Sequence, residues 1–522
     1  MRAIILYEYL RFSKIMALDK QYANLAKNTK KRRSFKLPNN RFFNVISDIF
    51  TNKEIRTKVL VTIGIIVIYR VLSAVPLPGI DMTTYQSLFE NKAANEANYL
   101  FTVFTGNRLD TPSIIGLGLA AYINASIIMQ LLPYVFARLK ALQEEGERGR
   151  QILNQITRII TFPLAFVYSV SYILLISQTD FASSVPGETS GNPLYLIPHA
   201  PGMDWPSATK IIFMALILAA GTVFLMWLSE IITEKGIGNG SSIIITLGII
   251  SSLPGLVGVD LQTLNFQQLA FDFFNGNPGV ITSPIFIAFV GVIIGLFLMI
   301  VAVVFVNESQ RNVEIQYARR LRGDEIGKKS FLPIKFTVTG VMPVIFAYAL
   351  LSIPQLIVPI IESSNGGPTE LTTSLRNSFL FAQSNATVDA NTIIFDVVYF
   401  LLIIVFGVFY SFIVMNPKDT AENLNKSGGF VPGIRPGKST ENYIGGVLLR
   451  VSFVGAVILG LIALIPYVGR NIVLTSTGSN LALLSSIGGT SILIMVGVIL
   501  DTKRQYASLR AARNYSLYAR GE

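Results

Sequence analysis

Three polar side chains interrupt an otherwise apolar run, and their type and depth indicate a path through a membrane rather than a reaction. They are Asn124, Ser126 and Gln130, within residues 117–137. An amide or hydroxyl facing lipid would cost free energy, so their helix should face other helices or a water-filled path. The preceding segment, residues 101–116, is too short to span a bilayer and contains glycine, aspartate and proline. Together they predict a short segment folded back into a cavity.

The remaining polar residues form no catalytic constellation. The chain has no cysteine and one histidine, His199, which removes disulfides, thiolate metal sites and cysteine nucleophiles. The carboxylates within 144–147 lie beside arginines, as solvated loop charges do, and no G-x-x-x-x-G-K-[ST] phosphate loop occurs. The glycines within 236–240 resemble a nucleotide fingerprint, but they follow an apolar helix and no lysine closes the run. The sequence predicts a tight turn there and no enzymatic activity.

Apolar helices long enough to cross a membrane must position the polar side chains. Hydrophobic residues make up 51% and charged residues 14% of the 522 positions, with a mean hydropathy of +0.53. Soluble domains carry about 25% charged residues, so this composition predicts an integral membrane protein. Spans of about 20 apolar residues are needed to cross. Ten such spans are predicted near 58–76, 117–137, 155–177, 210–229, 238–258, 281–306, 334–361, 393–416, 444–468 and 485–502.

Basic residues are distributed unevenly between the two sides that these ten helices define. Segments on the side of the N-terminus hold 34 Lys and Arg, 14 of them by residue 58, whereas the opposite loops hold 4. This bias follows the positive-inside rule and predicts that both termini are cytoplasmic. Two inner loops, 306–333 and 416–443, are long and basic. Loops of that length usually carry function, which predicts a docking surface for a cytoplasmic partner. The alternative is that their charge only sets the topology.

A channel, a secondary transporter and a membrane scaffold are the classes that fit these features. Secondary transporters place ionisable residues near the membrane midplane. Here the ionisable residues of the helices lie toward helix ends, as Arg70, Asp396, Glu230 and Arg450 do. The absence of fixed charge along the path indicates an apolar constriction, through which side chains of many different kinds could pass. A scaffold or insertase would keep the basic loops without needing the folded-back segment.

Several long stretches resemble one family, in the family's order. They are PLPGID (76–81), YINASIIMQLL (122–132), EEGERGR (144–150), GTVFLMWLSEIITEKGIGNG (221–240), NPKDTAENLNKSGGFVPGIRPGK (416–438) and GGTSILIMVGVILD (488–501). Across residues 42–518 the chain resembles the SecY/Sec61-alpha family, channel subunits of the Sec protein translocase. The resemblance implies an all-α integral membrane protein. Its ten transmembrane helices would form two pseudo-symmetric halves around a central hourglass pore with a short plug helix.

The resemblance also implies a division of the chain into four regions. These are a basic cytoplasmic arm with an interfacial helix at 1–57, an N-terminal half at 58–258 with the plug at about 101–115, a C-terminal half at 259–502 with docking loops 306–333 and 416–443, and a cytoplasmic tail at 503–522. The arm before Phe42 exceeds the family's usual start. We expect either that the true N-terminus is Met16 or a later position, or that the arm has its own partner.

The pore and gate positions of the family fall on named residues of this chain. The apolar pore ring would comprise Leu119, Ile123, Ile245, Ile345 and Ile494, with Ser241 at the sixth position. An apolar residue is usual at that sixth position, so the resemblance predicts a softer or differently sealed ring here. A lateral gate to lipid opens in the family between the second and seventh helices, where Gln130 and Thr337 occupy matching positions.

The family's docking positions and partners carry over in the same way. Docking of the ribosome or of the SecA motor ATPase would fall on Arg435, Arg311, Arg319, Arg320 and Lys438. The pattern departs at Asn312 and Glu314, where a basic and an uncharged residue are usual, so contact there should be weaker. Further expected partners are SecE-like and SecG-like small membrane subunits, unfolded preprotein with its signal sequence, and membrane lipid. The resemblance implies a multi-pass protein of the plasma (inner) membrane with no cofactor and no small-molecule substrate.

Overall fold

The computed structural model describes residues 53–80, 113–178, 197, 207–263, 284–317, 330–365, 369–375, 390–477 and 489–520. Contacts divide the chain into two compact units, Met1–Leu60 and Val61–Glu522. The described part of the first unit is helical from Lys53 onward. All contacts reported below lie within the second unit.

Helices account for most of the described residues. They are α1 (Lys53–Ser73), α2 (Ala120–Val135), α3 (Ala137–Glu144), α4 (Glu147–Gln178), α5 (Ala208–Lys235), α6 (Gly240–Thr263), α7 (Pro284–Glu308), α8 (Met342–Leu351), α9 (Ile353–Asn365), α10 (Glu370–Leu375), α11 (Ala390–Val414), α12 (Pro417–Lys426), α13 (Lys438–Thr477) and α14 (Gly489–Arg520). A helix occupies each of the ten positions at which the sequence predicts a span.

Length and hydropathy identify the helices that can cross a membrane. Six segments of the described chain qualify: Glu147–Ser177, Ala208–Lys235, Val290–Glu308, Met342–Ser364, Ile393–Lys426 and Lys438–Pro466. A seventh is obtained if α2 and α3, which are bent by 102° relative to each other, count as one span. Phe136 between them is extended, with φ −109° and ψ 113°. The multi-span prediction is therefore supported, while the exact number of ten stays a prediction.

Two apolar clusters hold the helices together. One cluster joins α2, α4 and α5 through side chains such as Ala121, Tyr172 and Leu218. A second and larger cluster joins α7, α8, α11, α13 and α14. Many large apolar side chains on the outer helix faces stay exposed, Phe305 at 74% for example, as lipid-facing residues do. The bundle therefore buries apolar side chains within and presents others to lipid.

Three short strands correct the prediction of an all-α protein. Strand β1 (Gln310–Tyr317) lies between β2 (Ser330–Lys335) and β3 (Gly429–Phe430), and both pairings are antiparallel. Val313 and Ile315 alternate with more exposed neighbours along β1 and are buried, the period-2 pattern of a half-buried strand. Because β1 belongs to one predicted docking loop and β3 to the other, the sheet ties the two loops together.

Two irregular segments share one backbone pattern. One leads into α2, and the other leads into α8. Residues 114–119 precede α2, and residues 336–341 precede α8. Gly118 and Gly340 have φ angles of 59° and 63°, a region that glycine adopts without steric cost. Their N–H groups donate to the carbonyls of Ile115 and Thr337 at 2.9 and 3.1 Å. The repeat makes α2 and α8 equivalent elements.

The same repeat extends to the helices that these segments touch. A Cβ added at Gly221 of α5 would come within 3.0 Å of the Ile114 carbonyl oxygen. One added at Gly455 of α13 would come equally close to the carbonyl oxygen of Phe336. In both places the missing side chain lets an irregular segment pack directly on a helix backbone.

Candidate functional site

A cavity of about 290 Å³ lies where α2, α4, α5, α6 and α8 meet. Its apolar side chains come mainly from α2 and α8, and its polar ones come from α2, α4, α5, the turn before α6 and the start of α6. The apolar lining comprises Ile123, Ile127, Ile245, Met342, Ile345 and Phe346. The polar lining includes Gln130, Asn154, Arg158, Glu230, Glu234, Asn239 and Ser241. The lining of this cavity thus combines apolar and polar side chains.

Four of the six predicted ring residues line this cavity together. They are Ile123 from α2, Ile245 and Ser241 from α6, and Ile345 from α8. Leu119 lies one turn before Ile123 and is 3% exposed, packed in the apolar cluster of α1, α5 and α6. Ile494 on α14 is half-buried and is not among the lining residues. Four ring positions therefore line the cavity together, and the cluster that contains Leu119 is one against which Ile123 and Ile245 also pack.

The ring residues occupy equivalent places in the internal repeat. The N–H of Ile123 donates to the Leu119 carbonyl at 2.9 Å, and the N–H of Ile345 donates to the Val341 carbonyl at 3.3 Å. Helices α6 and α14 begin with the related sequences GSSIII and GTSILI, which end at Ile245 and Ile494. In each of these two pairs, both members are isoleucine.

Ser241 has its polar group satisfied locally. Its hydroxyl donates to the side-chain oxygen of Asn239 at 2.8 Å, and its backbone N–H approaches the same oxygen at 3.2 Å. This is the geometry of an Asx turn at the start of a helix. The serine at this ring position therefore helps to close the turn between α5 and α6, in addition to lining the cavity.

An ion pair forms part of the polar wall. The Nε of Arg158 on α4 donates to Oε1 of Glu230 on α5 at 2.7 Å, with side chains 45% and 19% exposed. From the sequence alone, Arg158 falls within the third predicted span and Glu230 lies toward a helix end, and nothing indicates that the two residues pair. Their pairing needed the packing of α4 on α5, and sequence reasoning missed it.

The two predicted gate residues have different partners. Gln130 on α2 donates to the Ser126 hydroxyl at 3.1 Å and accepts a hydrogen bond from the Tyr410 hydroxyl of α11 at 2.6 Å. Thr337 is 5% exposed, and its hydroxyl donates to the side-chain oxygen of Asn307 at 2.9 Å. Gln130 therefore bonds to α11, while Thr337 bonds to the end of α7.

Further polar contacts cross between α4 and the segment α8–α9. The hydroxyls of Tyr168 and Ser352 are 3.4 Å apart, and the amide of Asn124 on α2 donates to the Tyr168 hydroxyl. The hydroxyl of Ser171 donates to the Leu356 carbonyl at 2.7 Å. Asn124 can be identified from the sequence because it places a polar group inside an apolar helix. Tyr168 and Tyr410 also place a hydroxyl inside an apolar helix, so the same criterion would have identified both tyrosines.

Most of the predicted plug lies outside the described residues, which resume at Ser113. There Ser113 forms an isolated antiparallel bridge with Pro76, and the N–H of Ile114 donates to the Val75 carbonyl at 3.1 Å. Ile115 is 1% exposed. The end of the predicted plug is thereby fixed against the segment that follows α1 and against α5.

Three of the five predicted docking residues lie on the sheet or in the segment that follows it. Arg435 is exposed in the turn between β3 and α13, and its carbonyl accepts from the Thr440 hydroxyl at 3.0 Å, while Lys438 is exposed at the first residue of α13. Arg311 is exposed on β1, opposite Ile334 of β2. Arg319 and Arg320 lie outside the described residues. Three of the five positions are therefore exposed, one on the sheet and two in the segment that follows β3.

Lys335 at the end of β2 lies in a charged environment outside the candidate spans. Its pKa is below the usual value of a lysine because partial burial disfavours the charged ammonium, and the nearby Arg504 guanidinium adds repulsion. Asp501 and Glu308 oppose the shift. No group of three or more His, Cys, Asp or Glu that could hold a metal ion occurs among the described residues.

Comparison with known proteins gives matches over most of the chain. The SecY family model matches residues 113–503. Protein translocase subunit SecY of Streptomyces coelicolor is 36% identical over 476 residues, which cover 90% of this chain and 98% of that protein. A solved protein-conducting channel covers 86% of this chain and 91% of its own, with 18% identity and a TM-score of 0.54. Sec61 in the canine ribosome–channel complex from the endoplasmic reticulum gives the same coverage and identity with a TM-score of 0.51.

Proposed function

Because this chain belongs to the SecY family, it is a subunit of a protein translocation channel and not a carrier of small solutes, and we propose that the cavity between α2, α6 and α8 lies on the path of the translocating chain. The family resemblance drawn from the sequence is confirmed. The proposal concerns which residues of this chain form the path, its gate and its docking surface.

The convergence of four ring positions on one cavity carries the proposal. Branched apolar side chains contact an unfolded polypeptide without directional bonds, so they can surround side chains of many kinds. A narrow apolar neck also resists wetting, which opposes the passage of ions. Leu119 and Ile494 would complete the ring, and Ser241 would make it less apolar on the α6 side.

The segment that leads into α2 would serve as the hinge of a plug. Contacts of Ser113 and Ile114 with residues 75 and 76 support this role. They hold the C-terminal end of the predicted plug (101–115) against the segment that follows α1. We place the lateral gate where α2 and α4 face α8, α9 and α11. Hydrogen bonds such as Ser171 to Leu356 support that position because they cross this seam.

The two docking loops would act as one surface for a cytoplasmic partner. Pairing of β1 with β3 supports this view, since it joins the loop that carries Arg311 to the loop that carries Arg435. The partner would be the ribosome during synthesis or the SecA motor ATPase afterwards, and either would supply the driving free energy. SecE-like and SecG-like subunits would complete the complex in the plasma membrane, with both termini cytoplasmic.

The test is protease protection of a secretory precursor in vesicles that contain this chain, its small partner subunits, the motor and ATP. We expect protected precursor with the unchanged chain and a loss of most protection with Arg435→Glu. Lys426→Glu makes the same charge change on α12 of the same loop, where the lysine is exposed and pairs with Glu422, and should leave protection nearly unchanged. Equal losses from both variants would contradict a specific role of Arg435.

A further inference from the structure

Residues 501–505 of α14 contact the turn between α5 and α6, which comprises residues 236–239. The N–H of Gly238 in this turn donates to Oε1 of Gln505. Gly238 has a φ of 91°, and a Cβ added there would lie 3.1 Å from the Thr502 hydroxyl oxygen. The absence of a side chain therefore lets α14 pack directly on the backbone of the turn.

This turn leads directly into the part of α6 that lines the cavity. Asn239 and Ser241 are both lining residues, and the Ser241 hydroxyl donates to the Asn239 side-chain oxygen at 2.8 Å. One residue before Gly238, the N–H of Ile237 donates to the Thr62 hydroxyl of α1 at 3.2 Å. Because Gly238 lies between two residues with fixed partners, its bond to α14 helps to set where the ring position Ser241 lies.

The residue before Gln505 contacts a different part of the bundle, the end of α7. Nη2 of Arg504 donates to the carbonyl of Asn307 at 3.0 Å. Asn307 lies in the last turn of α7, and β1 follows that helix closely. The Arg504 guanidinium also lies near Lys335, the last residue of β2, and contributes to lowering the pKa of that lysine. Adjacent residues of α14 thus contact the base of the docking sheet and the turn before α6.

The contact with α7 depends mainly on Arg504. Hydrogen bonds from a charged donor contribute more than neutral ones, and the Asp501 carboxylate orients the guanidinium by accepting from Nη1 at 3.2 Å. Lys503 adds an ion pair with Glu308 at 3.7 Å, but the two side chains are 71% and 53% exposed. An ion pair so exposed contributes little.

We propose that Arg504 and Gln505 couple docking at the sheet to the cavity, because one continuous helix ties the base of β1 to the turn before α6. This inference rests on the proposed function, in which a partner docks on the loops that contain β1 and β3. A displacement of the α7 end would move Arg504, and α14 would carry the movement through Gln505 to Gly238. Both are positioning residues, since they act through the turn and not on the translocating chain.

The test separates docking from the response of the cavity. Because the chain has no cysteine, Ser242→Cys gives it a single thiol, at a position that lines the cavity. Vesicles that contain this parent chain with its small partner subunits are treated with a membrane-impermeant maleimide, with and without the motor and ATP. The labelling rate of this chain is measured at a motor concentration that saturates binding, and the affinity for the motor is measured separately.

Gln505→Leu keeps the approximate size of the side chain and removes the acceptor of the Gly238 N–H. We expect unchanged affinity for the motor and a motor-dependent change in labelling rate that is smaller by about two- to tenfold, the factor that one net hydrogen bond supplies. Gln505→Glu keeps an acceptor oxygen and should retain the full change, which a role of mere bulk would not predict. Ser508→Ala is the matched control on the next turn, because its hydroxyl donates to the Gln505 carbonyl of the same helix at 2.8 Å.

Arg504→Gln tests the other contact, because it removes the charged donor to the Asn307 carbonyl. It should reduce the motor-dependent change by at least as much as Gln505→Leu does. The two contacts act in series, so the double variant should respond no less than the weaker of the two single variants. Arg504→Gln also supplies the test if Gln505→Leu does not assemble with its partner subunits.

The coupling is overturned if Gln505→Leu keeps the full motor-dependent change, or if Gln505→Glu loses as much of it as Gln505→Leu. Losses that multiply in the double variant would also overturn it, since they would show that the two contacts act independently. A parent chain that binds the motor and protects a precursor without any change in labelling would overturn the coupling alone. A parent chain that neither binds the motor nor protects a precursor would overturn the proposed function as well.

Discussion

Replacing Gly221 with alanine should destabilise the closed protein through a single methyl group. A Cβ there would lie less than 3.0 Å from the carbonyl oxygen of Ile114, a distance that real Cβ atoms essentially never show. The Ile114 oxygen belongs to the backbone, and the added Cβ would be bonded directly to the backbone of α5. Because neither atom can rotate aside, the segment 114–119 must move away from α5. Overpacking of this kind costs about 1–3 kcal/mol, and the better helix propensity of alanine returns up to about 1 kcal/mol. We expect a net loss of about 1–2 kcal/mol.

The internal repeat supplies a second copy of the same test. Gly455→Ala would place a Cβ against the Phe336 carbonyl oxygen in the same way, so its cost should equal that of Gly221→Ala. Gly291→Ala on α7 is the control, because a Cβ there meets nothing within 4 Å. That variant should be as stable as the unchanged chain or up to about 1 kcal/mol more stable.

The assay is thermal unfolding of the purified complex, together with resting ion conductance in planar bilayers. Segment 114–119 connects the predicted plug to α2, so Gly221→Ala should also raise resting conductance, whereas Gly291→Ala should not. The reasoning is refuted if Gly221→Ala unfolds at the same temperature as Gly291→Ala. A large cost at Gly455 with none at Gly221 would refute the equivalence of the two segments.

Three further changes have expected outcomes. Ile345→Asn should increase resting ion conductance, since an amide in the apolar cavity lining favours water, while Ile345→Leu should keep conductance low. Charge reversal at either Arg158 or Glu230 should lower the unfolding temperature, and reversing both should restore it, with a coupling of about 0.5–1 kcal/mol because the pair is partly exposed. Lys335→Gln should unfold at a slightly higher temperature than the unchanged chain at pH 7. Because the folded pKa of Lys335 lies below its usual value, this difference should shrink as the pH rises toward about 10.5 and should not grow.

Local patterns in the sequence determined much of the bundle. Apolar runs of about 20 residues predicted where helices lie, because a helix that crosses lipid must be apolar over that length. The spacing of Leu119 and Ile123 placed them one turn apart on one helix face, and the structure has them as i and i+4 partners. Polar residues at membrane depth pointed to Gln130, which does line the cavity.

Contacts between distant segments could not be deduced from such patterns. Strands β1 and β3 pair although one follows α7 and the other follows α12, and a two-residue strand gives no periodicity to detect. The Arg158–Glu230 pair and the Tyr410–Gln130 bond each need two helices at a defined rotation. Any polar residue inside a helix has several possible neighbours until the packing is known.

The internal repeat shows the same division most clearly. By itself, the sequence predicted which segments are helical, since hydropathy acts locally, whereas the ring residues were named by the family resemblance. Only the tertiary structure decided that segments 114–119 and 336–341 are equivalent, because what they share is a backbone path with positive φ at Gly118 and Gly340. Glycine is retained where the backbone needs it, whereas the side chains around it adapt to different neighbours, and little sequence similarity remains to reveal the repeat.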